Sequence, residues 1–269
     1  MIGRIATGIE RVSSGFSVAG IGIGTPGSVV DGVVHNAVNL GWRVVPLADS
    51  TRASIALDAP VWVHNDVNAG AVAELVFGAA RGETDFVYLA VGTGLGGGAV
   101  AGGRLINGAS GFAMEVGHAS IDPNGRLCNC GNHGCVEMYC SGKGLLAGVQ
   151  AHLPEYPHSP LAASEPNTRA ILDAARMGDP LALRVIDEAA DALGATMAWC
   201  VMIVNPALIV IGGGLGSAAH DLLAERAQAA MRARLMPDLA HVIRVVPSRI
   251  ESSALGAAAL VWHELADSR

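Results

Sequence analysis

Short apolar runs that end in glycine alternate with stretches of helical spacing, and this alternation limits the possible fold more than any other feature of the chain. Residues 19–24, 61–64, 86–92 and 208–212 are predicted as strands, and residues 179–204 are predicted as a long helix. Strands and helices that alternate in this way are typical of α/β layers around a sheet. Because the 269 residues are 51% hydrophobic and 15% charged, the chain has enough apolar material for two lobes.

Residue types that bind metals are concentrated between positions 118 and 135. Three cysteines, Cys128, Cys130 and Cys135, lie within eight residues, and His118 precedes them. A Cys3His set is a common closed ligand set for a structural zinc ion, and the glycines between these cysteines allow a tight turn. The sequence therefore predicts zinc ligation by His118, Cys128, Cys130 and Cys135. The alternative, that the thiols form disulfides or are simply buried, remains open at this point.

The charge balance argues against several functional classes. The 17 basic and 24 acidic residues give a net charge of −7 without a cluster of Arg and Lys, so we expect no direct nucleic-acid binding by this chain. Lys143 is the single lysine, which excludes a Gly-Lys-Ser/Thr phosphate loop. The longest apolar run, residues 193–211, is broken by Asn205-Pro206 and is predicted as a buried helix followed by a buried strand. We therefore expect a cytoplasmic protein with reduced thiols and no membrane contact.

Asp66 is a candidate for acid-base chemistry because of its position. It follows the predicted strand 61–64 and precedes a predicted helix at 69–77, so its carboxylate would project from a strand end, where α/β folds place ligands. A carboxylate there can accept the proton of a sugar hydroxyl. Capping of the following helix is an equally ordinary role for Asp, and the local sequence does not choose between the two.

Two glycine segments follow predicted strands. Residues 92–98 lie between two strands, and residues 212–214 end the strand at 208–212. Their backbone amides can bind phosphate oxygens, and the second segment can form a flat surface for a purine, but tight hairpins and chain reversals also use glycine. Glu115 and Glu137 bracket the cysteine segment, where fixed carboxylates can bind vicinal hydroxyls, although isolated glutamates are more often solvated surface groups.

Taken together, these motifs resemble the ROK family of sugar kinases and sugar-responsive repressors. The resemblance extends from about residue 19 to the C-terminus. The residues that carry it are Gly24-Thr-Pro-Gly27, Asn39, Asn65-Asp66, the glycines at 92–98, Glu115-Val-Gly-His118, Cys-x-Cys-Gly-x-x-Gly-Cys and Glu137. It implies an α/β fold of the actin-like (ribonuclease H-like), two-lobed ATPase and sugar kinase type.

The resemblance also implies roles for individual residues. Asp66 occupies the position of the base that deprotonates the sugar hydroxyl in kinase members. The residues at sugar-contact positions are Asn39, Asn65, Asp66, Glu115, His118 and Glu137, with His118 also a zinc ligand. The residues at phosphate and adenosine positions are Gly92, Thr93, Gly94, Gly96, Gly97, Gly212, Gly213 and Gly214. The implied cofactors are a structural zinc ion (Zn2+) and, for a kinase, ATP with Mg2+.

Two departures from the family pattern bear on the choice between its branches. Kinase members open with a strand that carries Asp-x-Gly-Gly-Thr, and this sequence starts after that point, which predicts a truncated N-terminal lobe and little phosphoryl transfer. Residues 39–47 and 117–135 are closer in character to the repressor branch. We therefore expect the zinc-containing, sugar-binding effector domain of a ROK transcriptional regulator. The alternative is an ATP-dependent hexose or N-acetylhexosamine kinase that resembles glucokinase.

The expected organisation has three parts. Residues 1–84 form a truncated N-terminal α/β lobe, residues 85–253 form a C-terminal α/β lobe with a zinc loop at 115–140, and residues 254–269 form a helix that packs back on the first lobe. The expected partner is a small-molecule sugar, and the family resemblance favours a homodimer or a homotetramer.

Overall fold

Strands and helices alternate along the chain, as the glycine-ended apolar runs predict. The structure is a computed structural model and describes residues 1–163, 165–250 and 252–267. The described strands are β1 (Ile21–Thr25), β2 (Ser28–Val30), β3 (Val33–Ala37), β4 (Trp42–Pro46), β5 (Val61–Asn65), β6 (Phe86–Val91), β7 (Leu95–Ala101), β8 (Arg104–Leu105), β9 (Leu208–Gly212) and β10 (Arg244–Pro247). The described helices are α1 (Ile2–Ser13), α2 (Leu47–Ala53), α3 (Asp66–Val76), α4 (Gly142–His152), α5 (Thr168–Arg176), α6 (Pro180–Val204), α7 (Gly213–Ala218), α8 (His220–Arg232) and α9 (Ser253–Asp267).

The chain divides into two units. Unit 1 consists of Met1–Gly82, Arg104–Ala113 and Arg249–Arg269, and unit 2 consists of Glu83–Gly103 and Met114–Ser248. The junctions after Gly82 and Ser248 lie a few residues from the divisions that the sequence suggests at residues 84 and 253. Arg104–Ala113 also belongs to unit 1, whereas the sequence-based division places it in the second lobe. Its residues carry no sequence pattern that assigns them to either lobe.

Unit 1 is built on two small sheets. β1 and β5 pair in parallel, and β2, β3 and β4 form an antiparallel sheet in that order. α1 packs Ile2, Ile5 and Ile9 against a cluster of buried residues that includes members of both sheets and of α2, and this is the face that their helical spacing predicts. Val12 shares that spacing but is 70% exposed. α9 packs against α3 through a separate cluster of buried residues.

Unit 2 is built on a mixed sheet in which β10, β9, β6 and β7 follow one another. β9 pairs in parallel with β6 and β10, and β7 pairs antiparallel with β6. All residues of β9 are buried, as expected for a strand covered on both faces. α6 ends at Val204 because Asn205 adopts a left-handed conformation (φ 52°) and Pro206 cannot continue a helix. None of the described helices is long and apolar enough to span a membrane.

Several elements go beyond the sequence-based prediction. The antiparallel sheet of β2, β3 and β4 is made of strands of three to five residues, which are too short to show a periodicity. α4 contains three glycines, which weaken its helical pattern, and α5 is a short helix of nine residues. α4 nevertheless forms because tertiary packing overrides this weak local signal.

α9 lies so close to β1 that one strand position must be glycine. A Cβ atom at Gly22 would overlap the carbonyl group of Ala257 in α9. We expect Gly22→Ala to push helix and strand apart and to lower the free energy of unfolding by about 1–3 kcal/mol, the usual range for overpacking. Gly8→Ala in α1 is the matched control, since no atom lies within 4 Å of its Cβ position and Ala is favoured over Gly in a helix by ~1 kcal/mol. In urea denaturation, the free energy of unfolding should fall for Gly22→Ala and rise for Gly8→Ala. Equal changes in the two variants would contradict the close contact between α9 and β1.

His64, near the end of β5, gives unit 1 a dependence on pH. Burial lowers the pKa of this imidazole, and nearby His263 lowers it further, although Nε2 lies 3.5 Å from Oε1 of Glu264 in α9. Between the lowered pKa and the ordinary value of 6.5, the unfolded chain therefore binds more protons than the folded chain. The stability that neutral His64 contributes is present above the ordinary pKa and is lost as the pH falls through the lowered value.

Urea denaturation between about pH 7 and pH 5 checks this expectation. The free energy of unfolding should fall more steeply with decreasing pH in the wild type than in His64→Gln, by up to about 1.4 kcal/mol per pH unit. His241→Gln changes an exposed histidine in unit 2 and should keep the wild-type slope. If the free energy of unfolding of His64→Gln depends on pH as steeply as that of the wild type, the folded protein does not change the pKa of this imidazole.

Candidate functional site

The carboxyl end of β5 presents an amide and a carboxylate side by side. Asn65 is the N-cap of α3, and its Oδ1 accepts hydrogen bonds from the amides of Val67 (2.9 Å) and Asn68 (3.3 Å). Its Nδ2 donates to the carbonyl oxygen of Gly27 (3.1 Å). The capping role that sequence position suggests for Asp66 therefore belongs to Asn65.

Asp66 is the first residue of α3, and its side chain is exposed. Its Oδ1 accepts a hydrogen bond from the amide of Val67 (3.0 Å), and no other partner of this carboxylate lies among the residues that the structure describes. The second carboxylate oxygen is therefore available to a ligand. Asn39, also in unit 1, is exposed in the short 3-10 helix Val38–Leu40.

His118, Cys128, Cys130 and Cys135 form a group of candidate metal ligands in unit 2, named the metal-binding group below. Their ligand atoms all lie within 4.8 Å of one another. The Sγ atoms of Cys130 and Cys135 are 3.5 Å apart, and Sγ of Cys128 is 3.7 Å from Nδ1 of His118. A tetrahedral zinc ion with Zn–S bonds of ~2.3 Å and Zn–N bonds of ~2.0 Å separates its ligand atoms by about 3.5–3.8 Å. All three thiols are free, so the donor set fits a closed tetrahedral metal site rather than a disulfide.

The loop that carries the cysteines is tightly folded. The amide of Cys128 donates to the carbonyl oxygen of Asn132 (2.8 Å). Gly131 and Gly134 have φ angles of +94° and +70°, as the prediction of a tight turn requires. A Cβ atom at Gly134 would also overlap the carbonyl oxygen of Asp122. The loop therefore depends on glycine for both its backbone conformation and its packing.

Arg126 anchors this loop to the rest of unit 2. Its guanidinium donates to the carbonyl oxygen of Met138 (2.9 Å) and to Oε2 of Glu188 in α6 (2.7 Å). It also lies 4.5 Å from the ring centroid of Tyr139. The side chains of Arg126 and Glu188 are 17% and 20% exposed, so this ion pair is better shielded than a surface pair. The loop is thus fixed from the side of α6.

The thiols differ in how firmly they hold their protons. Burial, reinforced by the neighbouring thiols of Cys130 and Cys128, raises the pKa of Cys135 to about 12. The pKa of the exposed Cys130 thiol is lowered because the amide of Asn132 donates a hydrogen bond to it. A metal ion must therefore displace a firmly held proton from Cys135, and metal affinity should fall as the pH falls.

Glu115 and Glu137 flank the metal-binding group in different settings. Glu115 is exposed and immediately precedes the 3-10 helix Val116–His118. Glu137 is half-buried in the 3-10 helix Val136–Met138, and its Oε2 accepts a hydrogen bond from the amide of Leu95 at the start of β7 (3.1 Å). Glu137 therefore joins the metal-binding segment to the first glycine segment.

The first glycine segment is shorter as a loop than the sequence predicts. Residues 92–94 form the turn between β6 and β7, and the amide of Gly92 donates to the carbonyl oxygen of Gly94 (2.8 Å). Gly96 and Gly97 lie inside β7, opposite Ala90 and Leu89 of β6. These two glycines belong to the sheet because pairing with the apolar strand β6 begins immediately after the turn.

The second glycine segment turns from a strand into a helix. Gly212 ends β9, and α7 begins at Gly213, whose φ angle of +83° reverses the chain. Gly214 lines a cavity of about 830 Å³ in unit 2, together with Gly92 and Thr93 of the first segment. This volume lies within the usual range for small-molecule and cofactor pockets. Of the residues predicted at nucleotide positions, these three line the cavity.

Most of the cavity wall comes from helices that the sequence patterns do not predict. The residues of α4, α5 and α7 in this wall include Lys143, Leu146, Thr168, Arg169, Leu172, Asp173, Arg176, Leu215 and Ala218. The N-cap residues of α4 and α5 are the sequence signals from which these helices could have been predicted. Ser141 accepts a hydrogen bond from the amide of Gly144 (3.0 Å) before α4, and Asn167 accepts one from Ala170 (3.0 Å) before α5.

Known proteins share both sequence and structure with this chain. Residues 1–264 match the ROK family. The glucokinase of Thermotoga maritima is 36% identical over 272 residues, which cover 97% of this chain and 84% of that protein. A solved ROK family transcriptional regulator, a homologue of the E. coli MLC protein, has a TM-score of 0.89 at 31% identity and covers 99% of this chain and 69% of its own. A solved ROK family glucokinase from Streptomyces griseus, in complex with glucose and AMPPNP, has a TM-score of 0.80 at 31% identity and covers 100% of this chain and 88% of its own.

Proposed function

Because the chain belongs to the ROK family, we propose that it is an ATP-dependent hexose kinase that transfers the γ-phosphate of ATP to a hydroxyl group of the sugar. The similarity to ROK kinase structures confirms the predicted actin-like α/β fold. The observation that carries the proposal is the cavity in unit 2, which combines glycine turns, cations and an apolar wall. The sequence patterns favour an effector domain, but the identity to a glucokinase over nearly the whole chain supports a kinase.

Asp66 is the general base in this proposal. As the sugar oxygen attacks the γ-phosphorus, its proton passes to a carboxylate oxygen of Asp66, and the bond from the γ-phosphorus to the bridging oxygen of ADP breaks. The exposed carboxylate supports this role, because Asn65 caps the helix and Asp66 uses only one carboxylate oxygen, which accepts a hydrogen bond from the amide of Val67. Phosphoryl transfer otherwise depends on positioning and charge neutralisation, which the nucleotide cavity and Mg2+ bound with ATP would supply.

The residues that we propose as sugar contacts in unit 1 are Asn39, Asn65 and Asp66. Those that we propose in unit 2 are Glu115, His118 and Glu137. His118 can serve metal and sugar together, because its Nδ1 lies beside Cys128 and its Nε2 remains for a hydroxyl. Zinc held by the Cys3His group would fix the segment that carries these side chains, a structural rather than a catalytic role.

A second candidate function is the sugar-responsive effector domain of a transcriptional regulator. The specific observation in its favour is the TM-score of 0.89 to a ROK family regulator over 99% of this chain. In this role the sugar would act by binding two conformations of the protein with different affinities.

ADP formation in the presence of hexoses and N-acetylhexosamines distinguishes the two functions. We expect ADP to form at a rate that depends on one of these sugars and to be matched by the sugar phosphate. Sugar binding by calorimetry without any ADP formation would overturn the kinase proposal and favour the effector domain.

A further inference from the structure

We propose that Lys143 and Arg169 bind the phosphate chain of the nucleotide in the unit 2 cavity, so that affinity rises with the number of phosphates. The inference rests on the proposed kinase function and deepens it with two residues that lie outside both glycine segments. Both side chains line the cavity. They belong to two different helices, α4 and α5.

The cations of the cavity differ in whether they are already paired. Arg176 donates to both carboxylate oxygens of Asp221 (2.8 Å each) and to the carbonyl oxygen of Ala218 (2.6 Å), so its charge holds α5 against the start of α8. Lys143 and Arg169 have no ion pair in the described part of the chain. In a protein with a net charge of −7, two unpaired cations on one cavity wall are suited to a polyanion.

Hydrogen bonds place Lys143 beside the first glycine turn. The amide of Gly142 donates to the carbonyl oxygen of Gly92 (2.8 Å). Ser141 donates its hydroxyl to the carbonyl oxygen of Glu137 (2.6 Å) and caps α4. The first turn of α4 is therefore fixed to the glycine turn on one side and to the metal-binding segment on the other.

Arg169 is the second residue of α5, and the N-terminus of this helix lies at the same end of the cavity. A Cβ atom at Gly142 would lie 3.4 Å from Oγ1 of Thr168 and 3.7 Å from the Cα atom of Thr93. The N-termini of α4 and α5 therefore meet beside the glycine turn, with Lys143 and Arg169 in their first turns. The partial positive charges of these two helix ends add to the charges of the side chains.

The same two helices determine how the nucleotide is oriented in the cavity. Leu146 follows Lys143 by three positions and Leu172 follows Arg169 by three, so each leucine lies on the cavity face one turn further along its helix. Leu172 is 3% exposed, and Leu215 of α7, which also lines the cavity, is 6% exposed. The cavity thus has a cationic end for phosphates at the first turns of α4 and α5, and an apolar end formed by the leucines about one helical turn away for a base. Asp173 and Arg176, which form an ion pair with each other on α5 (3.5 Å), also line the cavity.

The affinities of adenosine, AMP, ADP and AMPPNP, measured by calorimetry, test the inference. In the wild type we expect affinity to increase along this series. Lys143→Met and Arg169→Met keep an apolar stem but lose the charge, and each should weaken AMPPNP binding by about tenfold or more while adenosine binding stays unchanged. Lys143→Arg should restore part of the loss. Arg232→Met removes an exposed cation of α8 outside the cavity and is the matched control.

Each outcome decides a separate point. If affinity still rises from adenosine to AMPPNP in Lys143→Met and Arg169→Met as it does in the wild type, the inference is wrong even when ADP formation shows that the kinase proposal is right. If this rise in affinity is lost in both variants although no sugar-dependent ADP forms, the inference holds and the kinase proposal fails. Inorganic tripolyphosphate that binds the wild type as tightly as AMPPNP would overturn the assignment of the apolar end to a base. A wild-type protein that binds none of these ligands would overturn both proposals.

Discussion

Asp66→Asn is expected to lower the rate of sugar-dependent ADP formation by about 10²–10⁴-fold, the usual contribution of a general base. Asn has nearly the same shape as Asp, and its Oδ1 can still accept the hydrogen bond from the amide of Val67. Because Asn65 rather than Asp66 caps α3, the helix should keep its N-terminus in the variant. The loss should therefore appear in kcat, with the melting temperature and sugar affinity close to their wild-type values.

The chain offers a matched control for this variant. Asp49 is an exposed acidic residue in the first turn of α2, also in unit 1, and among the described residues its one ion pair is with nearby Arg52 (2.7 Å). Asp49→Asn should keep the wild-type rate, because Asp49 is not among the residues proposed for catalysis or sugar binding. The fold should also be kept, because a surface ion pair of this kind contributes little to stability. A rate for Asp66→Asn within tenfold of the wild type would remove Asp66 from the role of general base.

Cys130→Ser is expected to abolish metal binding and, with it, sugar binding. Cys130 is the exposed cysteine of the group, whereas Cys128 and Cys135 are buried, so the change opens no cavity in the core. A serine hydroxyl is not ionised at neutral pH and cannot replace the thiolate as a ligand. Structural zinc contributes on the order of 10 kcal/mol to the folding of its surroundings. Without it, the loop between His118 and Glu137 should lose its fixed conformation.

Metal content after dialysis against a chelator, limited proteolysis and sugar calorimetry measure these effects. Cys140→Ala is the thiol control, since Cys140 is buried outside the metal-binding group and the variant should keep its metal. His133→Ala is the control within the loop, because His133 bonds the carbonyl oxygen of Gly125 (2.9 Å) and is not part of the group. If a metal-free Cys130→Ser protein keeps full sugar affinity, sugar binding does not depend on the metal.

The metal-binding group could be predicted from the sequence because its geometry is largely local. Cys128, Cys130 and Cys135 lie within eight residues, and the positive φ angles of Gly131 and Gly134 bring them together. The long helix α6 and the buried strand β9 were also predictable, because each is a continuous apolar pattern that ends at a recognisable residue. In such cases the residues that decide the structure are neighbours in the chain.

The role of Asp66 illustrates what local sequence leaves open. A helix N-terminus beside Asn65 and Asp66 can be capped by either residue, and both have suitable side chains. The choice is made by Gly27, whose carbonyl oxygen holds Nδ2 of Asn65 from 38 positions away in the chain. That contact depends on the strands being already packed, so the sequence pattern alone cannot show it.

The sequence by itself determined the α/β class, the family resemblance and the candidate metal ligands, since each depends on apolar periodicity or on spacing within a short segment. Only the tertiary structure decided which residues form the cavity. Lys143, Arg169 and Leu215 come from three different helices, and Gly96 and Gly97, which the family resemblance places at nucleotide positions, belong to a strand. The physical reason is that a cavity is the space left where separate elements pack, and its lining depends on contacts between distant residues rather than on the preferences of any one segment.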